Sequence, residues 1–217
     1  MLQGQEAALG PDHPHTLSTV NVLGCTLRSE ASVALFRRAL EGRAAALGDA
    51  HEETNNSRDC LAERLAALGR WEEALPLHVA SAKAWERRFD NPLCDPVLVA
   101  QSGAAECLVR LQRWEEALAL LPPLLSFQLP GNTTYVNVVY TIDCLAQVGR
   151  PAEAAALAQR ELRAATAALG PDDPITQAIG RFLVQHALRT GDFDVAFSTG
   201  GGGPAATAAA RGRRRRR

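Results

Sequence analysis

Apolar residues along this chain recur at helical spacing, in segments of about 14–17 residues broken by short corners rich in Gly and Pro. One corner reads LGPDHP at Leu9–Pro14 and returns as LGPDDP at Leu169–Pro174. A second string reads GRWEEAL at Gly69–Leu75, QRWEEAL at Gln112–Leu118, GRPAEAA at Gly149–Ala155 and GDFDVAF at Gly191–Phe197. Its steps are 43, 37 and 42 residues, so the chain repeats a unit of about 42 residues. Each unit reads as a helix, a Gly corner, a second helix and an LGxxxP-like corner. The pattern predicts helix pairs at Thr16–Leu27 with Ala31–Ala46, Glu52–Leu68 with Trp71–Phe89, Asp95–Leu111 with Trp114–Leu121, and Thr133–Val148 with Pro151–Leu169. A fifth pair combines Ile175–Thr190 with a partial Phe193–Ser198, and Met1–Leu9 reads as the end of an earlier second helix. The array thus begins and ends mid-unit, as a piece of a longer array would.

The corners carry their own chemistry. Gly supplies the left-handed backbone that ends a helix. The Glu pairs after Trp71 and Trp114 put negative charge where a helix N-terminus favours it. In LGPDHP, Pro11 sets a turn, Asp12 is placed to accept backbone N–H groups and Pro14 starts the next helix. Pro76, five residues past Trp71, is expected in a first turn, where a missing N–H costs little. Pro122–Pro123 is expected to kink or end its helix early, with irregular chain through Gly131.

Composition sharpens this all-α reading. The 217 residues are 47% hydrophobic but only 5% aromatic, and Ala and Leu dominate. The net charge of −1 hides an asymmetry, because six of the 23 basic residues are arginines in the last seven positions. Residues 1–198 read as the acidic repeat array, and residues 199–217 as a Gly/Ala/Arg-rich tail too poor in large apolar residues to fold alone. A poly-Arg run is of a kind that binds nucleic acid, and nucleic acid enters as a partner only through this tail. The five cysteines form no C-x-x-C pair and fall mostly in apolar helical patterns, so buried reduced thiols are expected. With no apolar run long enough to span a membrane and no secretory signal pattern, a cytoplasmic setting is expected.

Counted from the Gly corner, small residues recur five positions on, at Ala74, Ala117, Ala154 and Ala196. Four before it stand Leu65, Leu108, Leu145 and Ala187; seven before it stand Ala62, Ala105, Ile142 and Val184. This grammar resembles the tetratricopeptide (TPR) repeat. The period, the LGPDHPHTL corner and GRWEEALPLH resemble its kinesin-light-chain type. The resemblance covers Leu9 to Phe197. It implies a right-handed superhelical solenoid of four to five antiparallel helix pairs, whose first helices line a concave groove that binds peptide segments of partner proteins. The light chain's heptad coiled coil has no counterpart here, and the Asn that the family carries in each first helix is retained only at Asn21.

Carried onto this sequence, the groove positions are Asn21, Asp59, Glu63, Ser102, Glu106, Asp143, Arg181 and Gln185, with Cys25 and Val139 at the remaining two. Four carboxylates among them imply an acidic groove and a basic peptide partner. Asp59 and Glu63, four apart on one helix, are expected to be neighbours. Nothing points to catalysis or a cofactor. His13 and His15, separated by a proline, do not make the converging ligand set a metal needs. Cys107, Cys144 and His186 lack an orienting acid and an oxyanion hole. No phosphate-binding glycine loop occurs. Trp71 and Trp114 read as core pegs between helices. The expected function is a non-enzymatic protein-interaction scaffold. The alternatives are the repeat or sensor segment of a larger regulatory protein, or a kinesin-light-chain-like cargo adaptor.

Overall fold

The computed structural model describes residues 2–27, 29–126 and 133–191. Among them it has ten α-helices and no strand: α1 (Leu2–Leu9), α2 (Pro14–Thr26), α3 (Glu30–Leu47), α4 (Glu52–Ala67), α5 (Trp71–Phe89), α6 (Asp95–Arg110), α7 (Trp114–Leu124), α8 (Thr133–Gln147), α9 (Pro151–Leu169) and α10 (Pro174–Thr190). The chain divides into two compact units, Met1–Thr134 and Tyr135–Arg217. In the first unit each helix from α1 to α7 packs on the next; in the second, α9 packs on α10. The expected Phe193–Ser198 segment, Ala196 within it and the 199–217 tail lie outside the described residues, as do residues 127–131 of the irregular stretch predicted through Gly131.

Small residues let the paired helices approach. Ala62, Ala74, Ala105, Ala117 and Ala154 are fully buried, and Leu65, Leu108, Ile142, Leu145 and Ala187 join them in the core. Val184, the equivalent position in α10, is instead exposed. Three glycines go further. A Cβ on Gly24 would lie 2.8 Å from the Phe36 ring, one on Gly42 2.8 Å from a Leu17 methyl, and one on Gly103 2.5 Å from the His78 ring. The first two are reciprocal, since α2 receives a ring from α3 and α3 receives a leucine from α2.

The corners hold by local bonds. His13 Nδ1 accepts from the His15 N–H and His51 Nδ1 from the Glu53 N–H, both at 3.2 Å; Asp173 Oδ1 accepts from the Ile175 N–H at 2.8 Å. The cap before Pro14 is therefore His13 rather than Asp12, because the residue directly before the helix has the extended backbone a cap requires. The repeated threonine six residues past the corner glycine, Thr16 or Thr54, donates to the Gly10 or Gly48 carbonyl at 2.9 Å.

One expectation about proline changes. Pro76 is the sixth residue of α5, in the second turn, so it removes a bond from the helical ladder. Pro122 and Pro123 end α7 early, as expected, but at Leu124 rather than Leu121. Leu124 is fully buried in a cluster with Leu98 of α6, and this packing carries the helix one residue past the prolines. At 11 residues α7 is nonetheless the shortest helix after α1.

Candidate functional site

The leading helices of the pairs in the first unit are α2, α4 and α6, and they carry five of the predicted residues. Asn21 on α2 is half-buried and reaches α4: its Oδ1 accepts from Ser57 Oγ at 3.3 Å, and its Nδ2 lies 3.9 Å from Cys60 Sγ. Ser57 Oγ also accepts from Arg43 Nη1 at 2.7 Å, while the buried Arg43 guanidinium donates to Ser18 Oγ at 3.0 Å and pairs with Glu53. This polar chain fixes α2, α3 and α4 relative to one another, so Asn21 sets helix register as well as facing the leading-helix surface. A buried arginine needs such a full set of acceptors.

Asp59 is held by its own pair's second helix. Its two carboxylate oxygens accept from Ser81 Oγ and, at 3.0 Å, from Trp85 Nε1, both on α5. Trp85 is buried and stacks on Phe89 with ring centroids 5.7 Å apart. Burial raises the Asp59 carboxyl above its usual range, although the Ser81 and Trp85 hydrogen bonds and Arg58 pull the other way. One turn on, Glu63 is raised by desolvation first and then by the Asp59 charge, which places the two carboxyls together as the spacing predicts. On α6, Ser102 is buried and Glu106 is half-buried, 3.7 Å from Arg110. Trp71 is half-buried and packs on the core cluster that includes Leu61, Leu65, Ala74 and Cys107, with the Arg110 guanidinium 5.7 Å from its ring centroid. The Cys60 and Cys107 thiols are pushed up to about 11 and about 12, chiefly by burial.

In the second unit the leading helices are α8 and α10, and between them lies a cavity of about 220 Å³. Val139, Ile142 and Asp143 line it from α8; Ala178, Ile179, Arg181, Phe182 and Gln185 line it from α10. Three predicted residues, Asp143, Arg181 and Gln185, thus meet at one place. Desolvation raises the Asp143 carboxyl. Phe182 and Ala178 were not among the predicted residues. Each lies three positions before one that was, Gln185 and Arg181, and so shares its helix face. The charge here is mixed, with Arg181 on the cavity wall that Asp143 helps form. In the first unit the predicted residues carry three carboxylates and no cation. All five cysteines are free thiols, but only Cys107 and Cys144 are buried as expected; Cys60 and Cys94 are half-buried and Cys25 is exposed. No helix of the described residues is long and apolar enough to cross a membrane.

Helix pairs with leading-helix polar positions, small residues at the crossings and a repeated corner define a TPR-like helical repeat. Solved structures share this fold. The nearly identical TPR-like repeats of a putative kinesin light chain from Podosopora anserina superpose with a TM-score of 0.68 at 17% identity, covering 86% of this chain and 92% of that one. The structure of a point variant of the same repeats gives a TM-score of 0.69 with the same identity and coverage. No family model and no curated protein matches the chain in sequence. The likeness is one of fold, because the repeat constrains only a few small and apolar positions per unit and leaves the exposed face free to vary.

Proposed function

We propose that this chain is a non-enzymatic protein-interaction scaffold whose leading-helix face in the first unit binds extended basic segments of a partner. The observation that carries this is the Asp59–Glu63 pair, two carboxyls on one helix face, both raised by desolvation and one by the other. A lysine or arginine placed there relieves the repulsion. Ser81 and Trp85 hold Asp59 in place before the partner arrives, so little ordering is needed on binding. Glu106 on the next leading helix extends the acidic surface. Exposed ion pairs contribute only about 0–1 kcal/mol each, so the face acts mainly on association rate and partner choice. Five free thiols fit a reducing, cytoplasmic compartment.

The test is fluorescence anisotropy with a labelled lysine–glycine peptide at low salt. Glu63→Lys/Glu106→Lys is expected to weaken binding about tenfold, and added salt to weaken it in the unaltered protein. Equal affinities for the two proteins at low salt would refute the assignment.

A further inference from the structure

The opposite side of the first unit holds a second feature that the leading-helix face does not use. Leu61 and Leu65 lie two positions either side of Glu63, so they point to the far side of α4. There they floor a cleft of about 500 Å³ between the second helices α3 and α5. Both leucines are buried, while Leu40 of α3 and Leu77 of α5 form half-buried walls. The volume falls within the roughly 300–1,000 Å³ typical of ligand sites, enough for a large apolar side chain with part of its backbone.

The rim is acidic. Arg37, Glu41, Glu72 and Glu73 border the cleft, three carboxylates against one guanidinium. Glu73 is already engaged, by Arg37 at 2.7 Å and by Arg70 at 2.6 Å. Glu41 and Glu72 are exposed and have no ion pair or hydrogen bond among the described residues. Pro76 lies on the same wall. α5 and α7 open with the same WEEAL, and then α5 has Pro76 where α7 has Ala119. With no N–H on Pro76, the Glu72 carbonyl lacks its i+4 donor, and Pro76 itself lines the cleft. A proline inside a helix carries a large cost relative to alanine. That cost falls beside the two unpaired carboxylates, and departures from local preference concentrate at functional positions.

We propose that this cleft docks a segment of a partner protein in which a large apolar side chain is flanked by lysine or arginine. The apolar residue packs between Leu40 and Leu77 over the leucine floor, and the cation takes the Glu41 and Glu72 carboxylates. The chain's own arginine-rich tail does not fit this description, because residues 199–217 contain no large apolar side chain.

The test uses a dye-labelled Lys-Leu-Lys-Leu-Arg peptide and its Ser-for-Leu counterpart, measured by anisotropy on the full chain. Glu41→Lys/Glu72→Lys, both at exposed positions, is expected to weaken the leucine peptide about tenfold. The Glu63→Lys/Glu106→Lys protein should keep its leucine dependence, which separates this cleft from the leading-helix face. Pro76→Ala should weaken binding while raising the melting temperature. Equal binding of the two peptides, or binding indifferent to Glu41→Lys/Glu72→Lys, overturns the proposal. So does a concentration-dependent dimer in sedimentation that this substitution dissociates, which would assign the cleft to a second copy of the chain.

Discussion

His78 makes the fold of the first unit sensitive to acid. It lies on α5 with its ring against Gly103 of α6, 6% exposed, and its Nδ1 has no hydrogen-bond partner. Burial alone lowers its pKa from 6.5 to about 4. The unfolded chain therefore takes up a proton that the folded chain refuses. Stability from this site is complete above pH 6.5, falls as pH drops from 6.5 toward 4, and is flat below. The 2.5-unit gap corresponds to about 3 kcal/mol in full and to about 2 kcal/mol at pH 5. That is a large share of the roughly 5–15 kcal/mol of a typical domain. Asp59, Glu63 and Asp143 act in the opposite sense, since carboxyls raised by burial favour the folded state as they protonate. The clean measurement is thus a difference between two proteins. His78→Leu is the natural comparison, because α7 has the fully buried Leu121 at the equivalent position. All three tryptophans lie in the first unit, so urea unfolding followed by tryptophan fluorescence reports on it. Between pH 7 and pH 5 the unaltered protein should lose about 2 kcal/mol more than His78→Leu. Parallel losses in the two proteins would show that His78 is not the source of the acid sensitivity.

Two further substitutions test the packing and the corners. Gln112 has φ +58°, where the equivalent Gly69 and Gly149 have +77° and +79°; Gln112→Gly should stabilise the first unit by about 1 kcal/mol, read as a higher urea midpoint. Gly24→Ala puts a methyl against the buried Phe36 ring and should cost about 1–3 kcal/mol, whereas Gly4→Ala, with open space around it, should not lower the melting temperature.

The helix pairs were legible because their limits are local chemistry. Trp71–Phe89 and Pro151–Leu169 coincide with the helices because corner residues and an opening Trp or Pro mark their ends. The exact limit of α7 was less legible: Leu124 packs on Leu98, and the helix runs one residue past Pro122–Pro123 before it ends. The leading-helix face was partly legible. Spacing placed Asp59 beside Glu63, yet it could not show that Asp59 is held by Ser81 and Trp85, 22 and 26 residues away on another helix. A buried Trp N–H requires an acceptor, and that rule was the available signal. The Glu41–Glu72 cleft was not legible, since two second helices build it over leucines whose pattern reads only as core.

The most direct test of the scaffold reading is where a purely basic peptide sits. Amide chemical-shift mapping with an unlabelled lysine–glycine peptide, which has no apolar side chain for the α3–α5 cleft, separates the two faces. Perturbations are expected on α4 and α6 around Asp59, Glu63 and Glu106, growing as salt is lowered. Perturbations confined to α3 and α5, or none at saturating peptide in low salt, would contradict the scaffold reading.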